Sequence, residues 1–291
     1  MKKKVLVFAA VLAGLVSVGT LAPLAEEPKP GAPMYNIFSD EDEQVLGRQA
    51  AAETIQKLPM LDDPIVNAYV NDIGQRIARE SRRPDIKYEF RVVNSNKVNA
   101  FALPAGFVFV ERGLLHYVES EYELIGAMSH EVGHVVGRHG LANVSRIAIV
   151  KMAVESAKKL GVLDPDTIQK IFDASGGVAF VFINAKFSRD QESEADLLGA
   201  YNSVRSGWDP SGAVIVFQKF AKGTREQDLL QMMLATHPHP AERARVISDE
   251  IKTMKLPPNL QTDSYAFRAM KLRLGMLGAP PPDPRDQKRQ Q

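Results

Sequence analysis

Cysteine is missing from all 291 residues, which removes disulfide frameworks, thiolate nucleophiles, iron–sulfur clusters and cysteine zinc fingers. An excess of one charge is missing too. Lys+Arg 36 against Asp+Glu 35 leaves +1, so no basic field argues for a nucleic-acid partner. Histidine is scarce, at 6 residues, and any metal must be held by some of these together with Asp or Glu. What the chain does have is core material, 45% hydrophobic, which excludes a disordered polymer and suits one large domain or two small ones.

At the N-terminus Lys2, Lys3 and Lys4 precede an apolar run from Val5 to about Ala22. A basic start followed by an apolar run is an export signal, so the protein is expected in the periplasm or cell envelope of a bacterium. Residues 1–25 are read as a signal peptide cut near Ala25 or, if residues 5–22 are retained, as an anchor that associates the chain with a membrane. Residues 26–38 read as a Pro-rich linker, 39–278 as the folded domain, and 279–291 as a disordered Pro-rich tail.

The domain is expected to be mainly helical. Ser39 before Asp40, Glu41 and Asp42 caps a helix to about Leu58, and Asp63-Pro64 opens another to about Ser81. Ile86, Tyr88, Phe90 and Val92 alternate with charged residues as a half-buried strand does. Val98–Ala102 and Phe107–Glu111 read as two more strands around the turn Leu103-Pro104-Ala105-Gly106. Ser120 with Glu123 reads as a capping box for a helix reaching about Arg138. Further helices are expected near 142–160, 166–174, 187–206, 210–221, 227–235 and 240–254. This is an α+β domain with a small, about three-stranded sheet.

Inside the helix opened by Ser120 stands His130-Glu131-Val132-Gly133-His134. His130 and His134 fall one turn apart on one face and can converge on a single ion, while Glu131 can reach a water bound to it. Zinc suits this arrangement, because it leaves a fourth position open and acidifies bound water toward neutrality. Leu124, Ile125, Met128, Val132 and Val135 make the helix apolar nearly all round, a setting in which unpartnered histidines would be costly.

For a third ligand, His139 sits one residue early for the spacing H-E-x-x-H-x-x-G-x-x-H, and on a continuing helix it would point away from His134. It is read as a helix-end histidine that meets the helix dipole or a partner. In Ser188–Gly199, Glu192 and Asp196 share a helical face at i, i+4, while Glu194 points elsewhere. Glu192 can complete a two-His, one-Glu set, and Asp196 can accept a hydrogen bond from a ligand imidazole. A charged solvated face is the plainer reading. In Thr236-His237-Pro238-His239-Pro240, a histidine held by two prolines suits an oxyanion donor or a helix cap equally well.

Taken with Asn99–Gly106, these blocks resemble the family-48 zinc metallopeptidases, the group of the CAAX prenyl protease, HtpX, BepA and the mitochondrial Oma-type enzymes. The resemblance covers roughly Asp40 to Met254. It implies a gluzincin fold with one Zn2+ per chain, held by His130, His134 and Glu192. It further implies Glu131 as the base, Asp196 in support, and His237 as a transition-state donor or a resting plug over the metal. Arg243 matches the family's downstream arginine. Asn99 and Ala100 would lie on an edge strand that holds an extended peptide by strand addition. Neither the multi-span membrane body nor the helical-repeat tail of some members is present, so a stand-alone exported member is expected.

The expected function is a zinc endopeptidase acting on unfolded or damaged polypeptides. Its rival is a non-hydrolytic, zinc-stabilised chaperone or assembly factor with a latent metal, against which Glu131 weighs, since a structural site does not require it. A third option is an aminopeptidase or small-peptide hydrolase.

Overall fold

The computed structural model describes residues 36–156, 170, 173, 177–223 and 227–287. The signal or anchor at 1–25 and most of the helix expected near 166–174 lie outside the described residues. Among the described residues, no helix is long and apolar enough to cross a membrane.

Two helices open the fold where their caps predict. Helix α1 spans Asp40–Lys57, with Ser39 and Asp42 forming a reciprocal capping box, and α2 spans Pro64–Arg79, with the Asp63 carboxylate accepting from Val66 N. Three strands follow: β1 (Glu89–Val93), β2 (Ala100–Leu103) and β3 (Phe107–Glu111). The sheet order is β1-β3-β2, with β3 parallel to β1 and antiparallel to β2. Strand β1 starts three residues after Ile86, because Arg83 to Ile86 close a turn first (Ile86 N to Arg83 O, 3.4 Å). The inward set is as alternation predicts: Tyr88, Phe90 and Val92 are buried. Beyond the sheet, α3 is Arg112–Tyr117 and α4 is Glu121–Val136.

At the start of α4 the expected capping box is absent. The Ser120 hydroxyl donates to Glu123 Oε1 at 2.6 Å rather than accepting a backbone N–H, because Glu123 is drawn to Lys219, 2.8 Å away. The other end differs as well. The helix stops at Val136 instead of Arg138, Arg138 takes a left-handed φ of 52°, and His139 opens a new helix, α5 (His139–Ser156). Arg138 is pinned there by ion pairs to Asp40 and Glu43 at 3.1 and 2.9 Å.

The remaining helices are α6 (Val178–Ile183), α7 (Arg189–Arg205), α8 (Ser211–Lys222), α9 (Gln227–Thr236), α10 (Pro240–Ile251), α11 (Tyr265–Met276) and the short α12 (Pro284–Gln287). Helix α4 is the hub. It packs on α2, α7, α8 and the sheet, which is why its sequence is apolar on every side. Its first turn is held by Glu121, a buried carboxylate that accepts from Tyr69 Oη, Trp208 Nε1 and Ser264 Oγ at 2.8–3.2 Å.

The described parts of both presumed flanks, 36–38 and 279–287, join the fold. Phe38, assigned to the linker, is buried, and Ile37 N donates to Ser145 Oγ. The tail from 279, expected to be disordered, is bound to the sheet as far as it is described. Arg285 reaches back to Glu111 at the end of β3 (2.7 and 3.0 Å), and Asp283 accepts from Ser95. A fully buried carboxylate needs a partner, and Arg285 is the partner that fixes this segment.

Candidate metal centre

Helix α4 presents His130 and His134 on one face with their Nε2 atoms 3.0 Å apart. Helix α7 crosses it and brings Glu192 alongside, Oε2 being 3.6 Å from His130 Nε2 and Oε1 3.6 Å from His134 Nε2. Such an approach needs a glycine at the crossing. A Cβ on Gly133 would lie 2.5 Å from the Ala195 carbonyl oxygen, so the second variable position of the motif is what lets α7 come close.

His237 follows the last turn of α9, its N–H bonded to Met233 O at 2.7 Å. Its Nδ1 stands 3.3 Å from His130 Nε2 and 3.0 Å from Glu192 Oε1. His130, His134, Glu192 and His237 thus offer four ligand atoms within 4.8 Å of one another, and all four residues are buried.

Atoms bound tetrahedrally to a zinc at ~2.0–2.1 Å stand roughly 3.3 Å apart, so the observed separations fit an ion of that size. The donor chemistry fits as well. Imidazole nitrogens turned toward one another with a carboxylate between them are costly to bury without a cation. The four residues therefore fit a cation of zinc's size and ligand preference.

Supporting groups complete the cluster. Asp196, one turn beyond Glu192, accepts from His130 Nδ1 at 2.8 Å, which leaves His130 Nε2 free to ligate. Arg243 on α10 grips Asp196 with two hydrogen bonds (2.8 and 2.7 Å), pairs with Glu192 Oε2 at 2.6 Å and lies over the Phe217 ring. Burial would raise the Asp196 and Glu192 carboxyls, but Arg243 outweighs it for Asp196, and His237, His134 and Arg243 outweigh it for Glu192, so both are depressed. Burial holds His130 down to about 4 and His134 well below the ordinary imidazole range, so both are neutral and have a lone pair for a metal. His237 goes the other way: burial alone would lower it, yet the carboxylates of Glu192 and Glu131 raise it.

Glu131 is pushed up to about 7 chiefly by burial. It lies beside the donors, its Oε1 3.7 Å from His237 Nε2, and the Ala102 backbone N–H reaches its carboxyl. That last contact follows from the strand. Asn99 O accepts from Glu111 N, so by alternation the pairs bonded to β3 are those at 99, 101 and 103, and the backbone groups of Ala100 and Ala102 face the open edge of β2. Asn99 turns its backbone to β3 and Ala100 is buried as a whole residue, so the part-exposed Ala102 is what a ligand at this edge would meet first. A narrow cleft lined by Ala102, Leu103, His134 and Phe187 lies beside His134.

One residue behaves differently from expectation. His139 does not point away from His134. With α4 broken at Gly137, its Nδ1 comes within 2.8 Å of His134 Nδ1. Glu194 faces away from the four donors, but its Oε2 lies 3.3 Å from His139 Nε2. Phe187, not singled out in the sequence, stacks on His134 with ring centroids 3.9 Å apart.

Comparison with known proteins agrees with this geometry. The sequence pattern of peptidase family M48 matches residues 64–251. The chain is 28% identical over 276 residues to a beta-barrel assembly-enhancing protease of Yersinia pestis, covering 92% of this chain and 56% of that protein. It is 31% identical over 192 residues to the mitochondrial metalloendopeptidase OMA1 of Arabidopsis thaliana (65% and 37%). It is 30% identical over 224 residues to metalloprotease YcaL of Escherichia coli (75% and 83%). The chain thus spans about half the length of the assembly-enhancing relatives it matches.

Proposed function

Because this chain belongs to peptidase family M48, we propose that it is a zinc-dependent endopeptidase that cleaves unfolded or damaged polypeptides in a bacterial cell envelope. The observation that carries the reading is the convergence of two neutral imidazoles and one carboxylate beside Glu131, a buried acid that a purely structural site has no use for. The relatives named for β-barrel assembly and the basic-apolar N-terminal run support the envelope as its place of work.

His130, His134 and Glu192 would hold the metal, which when bound supplies an acidified water and polarises the scissile carbonyl. The chain's own residues do the rest. The substrate adds as an extended strand to the unpaired edge of β2, where main-chain bonds to Ala102, and to Ala100 once it is uncovered, recognise backbone rather than sequence. Such recognition suits a protease of unfolded chains. As the peptide takes the Ala102 N–H, Glu131 is released from it, accepts a proton from the attacking water and passes it to the leaving amine. His237 closes the site at rest by lying against Glu192 and His130. Once drawn off Glu192, it has a ring N–H to donate to the developing oxyanion.

Glu131→Gln should keep the zinc stoichiometry of the wild type and lower casein cleavage about 10²- to 10⁴-fold. Unchanged cleavage would overturn the mechanism. The position of His237 also favours a second reading, a chaperone with a latent metal. That reading prevails if wild type and His237→Ala both leave casein intact yet suppress aggregation of a client.

A further inference from the structure

His139 is wholly buried beside the metal ligands, yet it is not one of the four converging residues. Its burial there is built. The chain breaks after Val136, Arg138 is held left-handed by Asp40 and Glu43, and the His139 ring folds back onto His134. Only a residue without Cβ fits at Gly137, because a Cβ there would overlap the His139 ring. The result is a row of three side chains: His134 Nδ1 to His139 Nδ1 at 2.8 Å, and His139 Nε2 to Glu194 Oε2 at 3.3 Å.

With both rings neutral, hydrogen-bond chemistry gives this row one self-consistent arrangement. A carboxylate only accepts, so His139 Nε2 carries the proton that faces Glu194. A neutral imidazole has one N–H, so His139 Nδ1 is bare and must accept. The proton between the two rings therefore belongs to His134 Nδ1, and His134 Nε2 presents its lone pair to the converging donors. Phe187, stacked on the His134 face, fixes the plane of the ring. Asp196 serves His130 in the same way, by a direct bond.

We infer that His139 and Glu194 are positioning residues that set the tautomer and orientation of His134 for metal binding, by a relay through a second imidazole. The inference rests on the zinc-peptidase reading above. The two ligand histidines are then fixed by different means: His130 by a carboxylate touching it, His134 by a carboxylate one ring further out.

The test is zinc affinity of the full chain, measured by competition with a chromophoric chelator, together with nitrogen NMR of the imidazoles in metal-free protein. His139→Leu should weaken zinc binding about 10- to 100-fold. His139→Asn, whose side-chain oxygen can stand where Nδ1 stands, should recover most of that loss. Glu194→Ala should weaken binding, and Glu194→Gln, which keeps an accepting oxygen, should do so less. The spectra should show His139 protonated at Nε2 and bare at Nδ1. A proton on His139 Nδ1, or a folded His139→Leu protein with wild-type affinity, would overturn the relay. If His139→Leu does not fold, the Glu194 pair and the spectra decide. Failure of the wild type to bind zinc would overturn the peptidase reading instead, while the metal-free spectra would still judge the relay.

Discussion

Glu131 is the residue on which stability and chemistry pull in opposite directions. Burial pushes its carboxyl up to about 7 from the ordinary 4.5. The folded protein thus keeps a proton that the unfolded chain releases near 4.5, and without metal its stability falls as pH rises from about 4.5 to about 7. Glu131→Gln removes that dependence. In chelator-treated protein, the melting temperature of the Gln variant should gain on the wild type as pH rises across roughly 5 to 7.5, and parallel curves would contradict the assignment. At this scale the sequence is informative wherever spacing alone fixes geometry. His130 with His134, and Glu192 with Asp196, are i, i+4 pairs whose shared face needs only a helix. His139 is the counter-example: its direction was extrapolated along a helix that ends at Val136, and the signal that could have shown this is Gly137, a residue type common where helices terminate.

Among the elements, the crossing of α4 and α7 decides whether a centre exists at all. Gly133 is the contact point, and Gly133→Leu would drive side-chain atoms into the Ala195 backbone. We expect this variant to lose about 1–3 kcal/mol of stability in urea unfolding and, with Glu192 carried outward, most of its zinc. A fully zinc-loaded Gly133→Leu protein would show that the crossing is not what places Glu192. Helix limits were legible where a side chain caps its own helix, as Ser39 and Asp63 do. The cap at Ser120 was not, because Lys219, far along the chain, competes for Glu123. The edge strand was legible as a strand. That its free N–H at Ala102 meets Glu131 depends on register, which pairing with β3 sets and no local pattern reveals.

For the molecule as a whole, long-range ion pairs tie segments that composition marks as loose. The bond between Arg285 and Glu111 spans 174 positions, and the Pro-rich stretch around it reads as a tail because nothing nearby shows its partner. Glu111 is fully buried, so Arg285→Met should cost about 3–5 kcal/mol by leaving that carboxylate unpaired, readable as a lowered urea midpoint. An unchanged midpoint would mean the tail is not part of the stable fold. The account of the centre itself is tested most directly by zinc-edge anomalous diffraction from protein purified without added metal. The result it predicts is one zinc per chain bound by His130, His134 and Glu192, with His237 near the fourth corner. A zinc bound elsewhere, or a Glu192 carboxylate turned away from the ion, would contradict it.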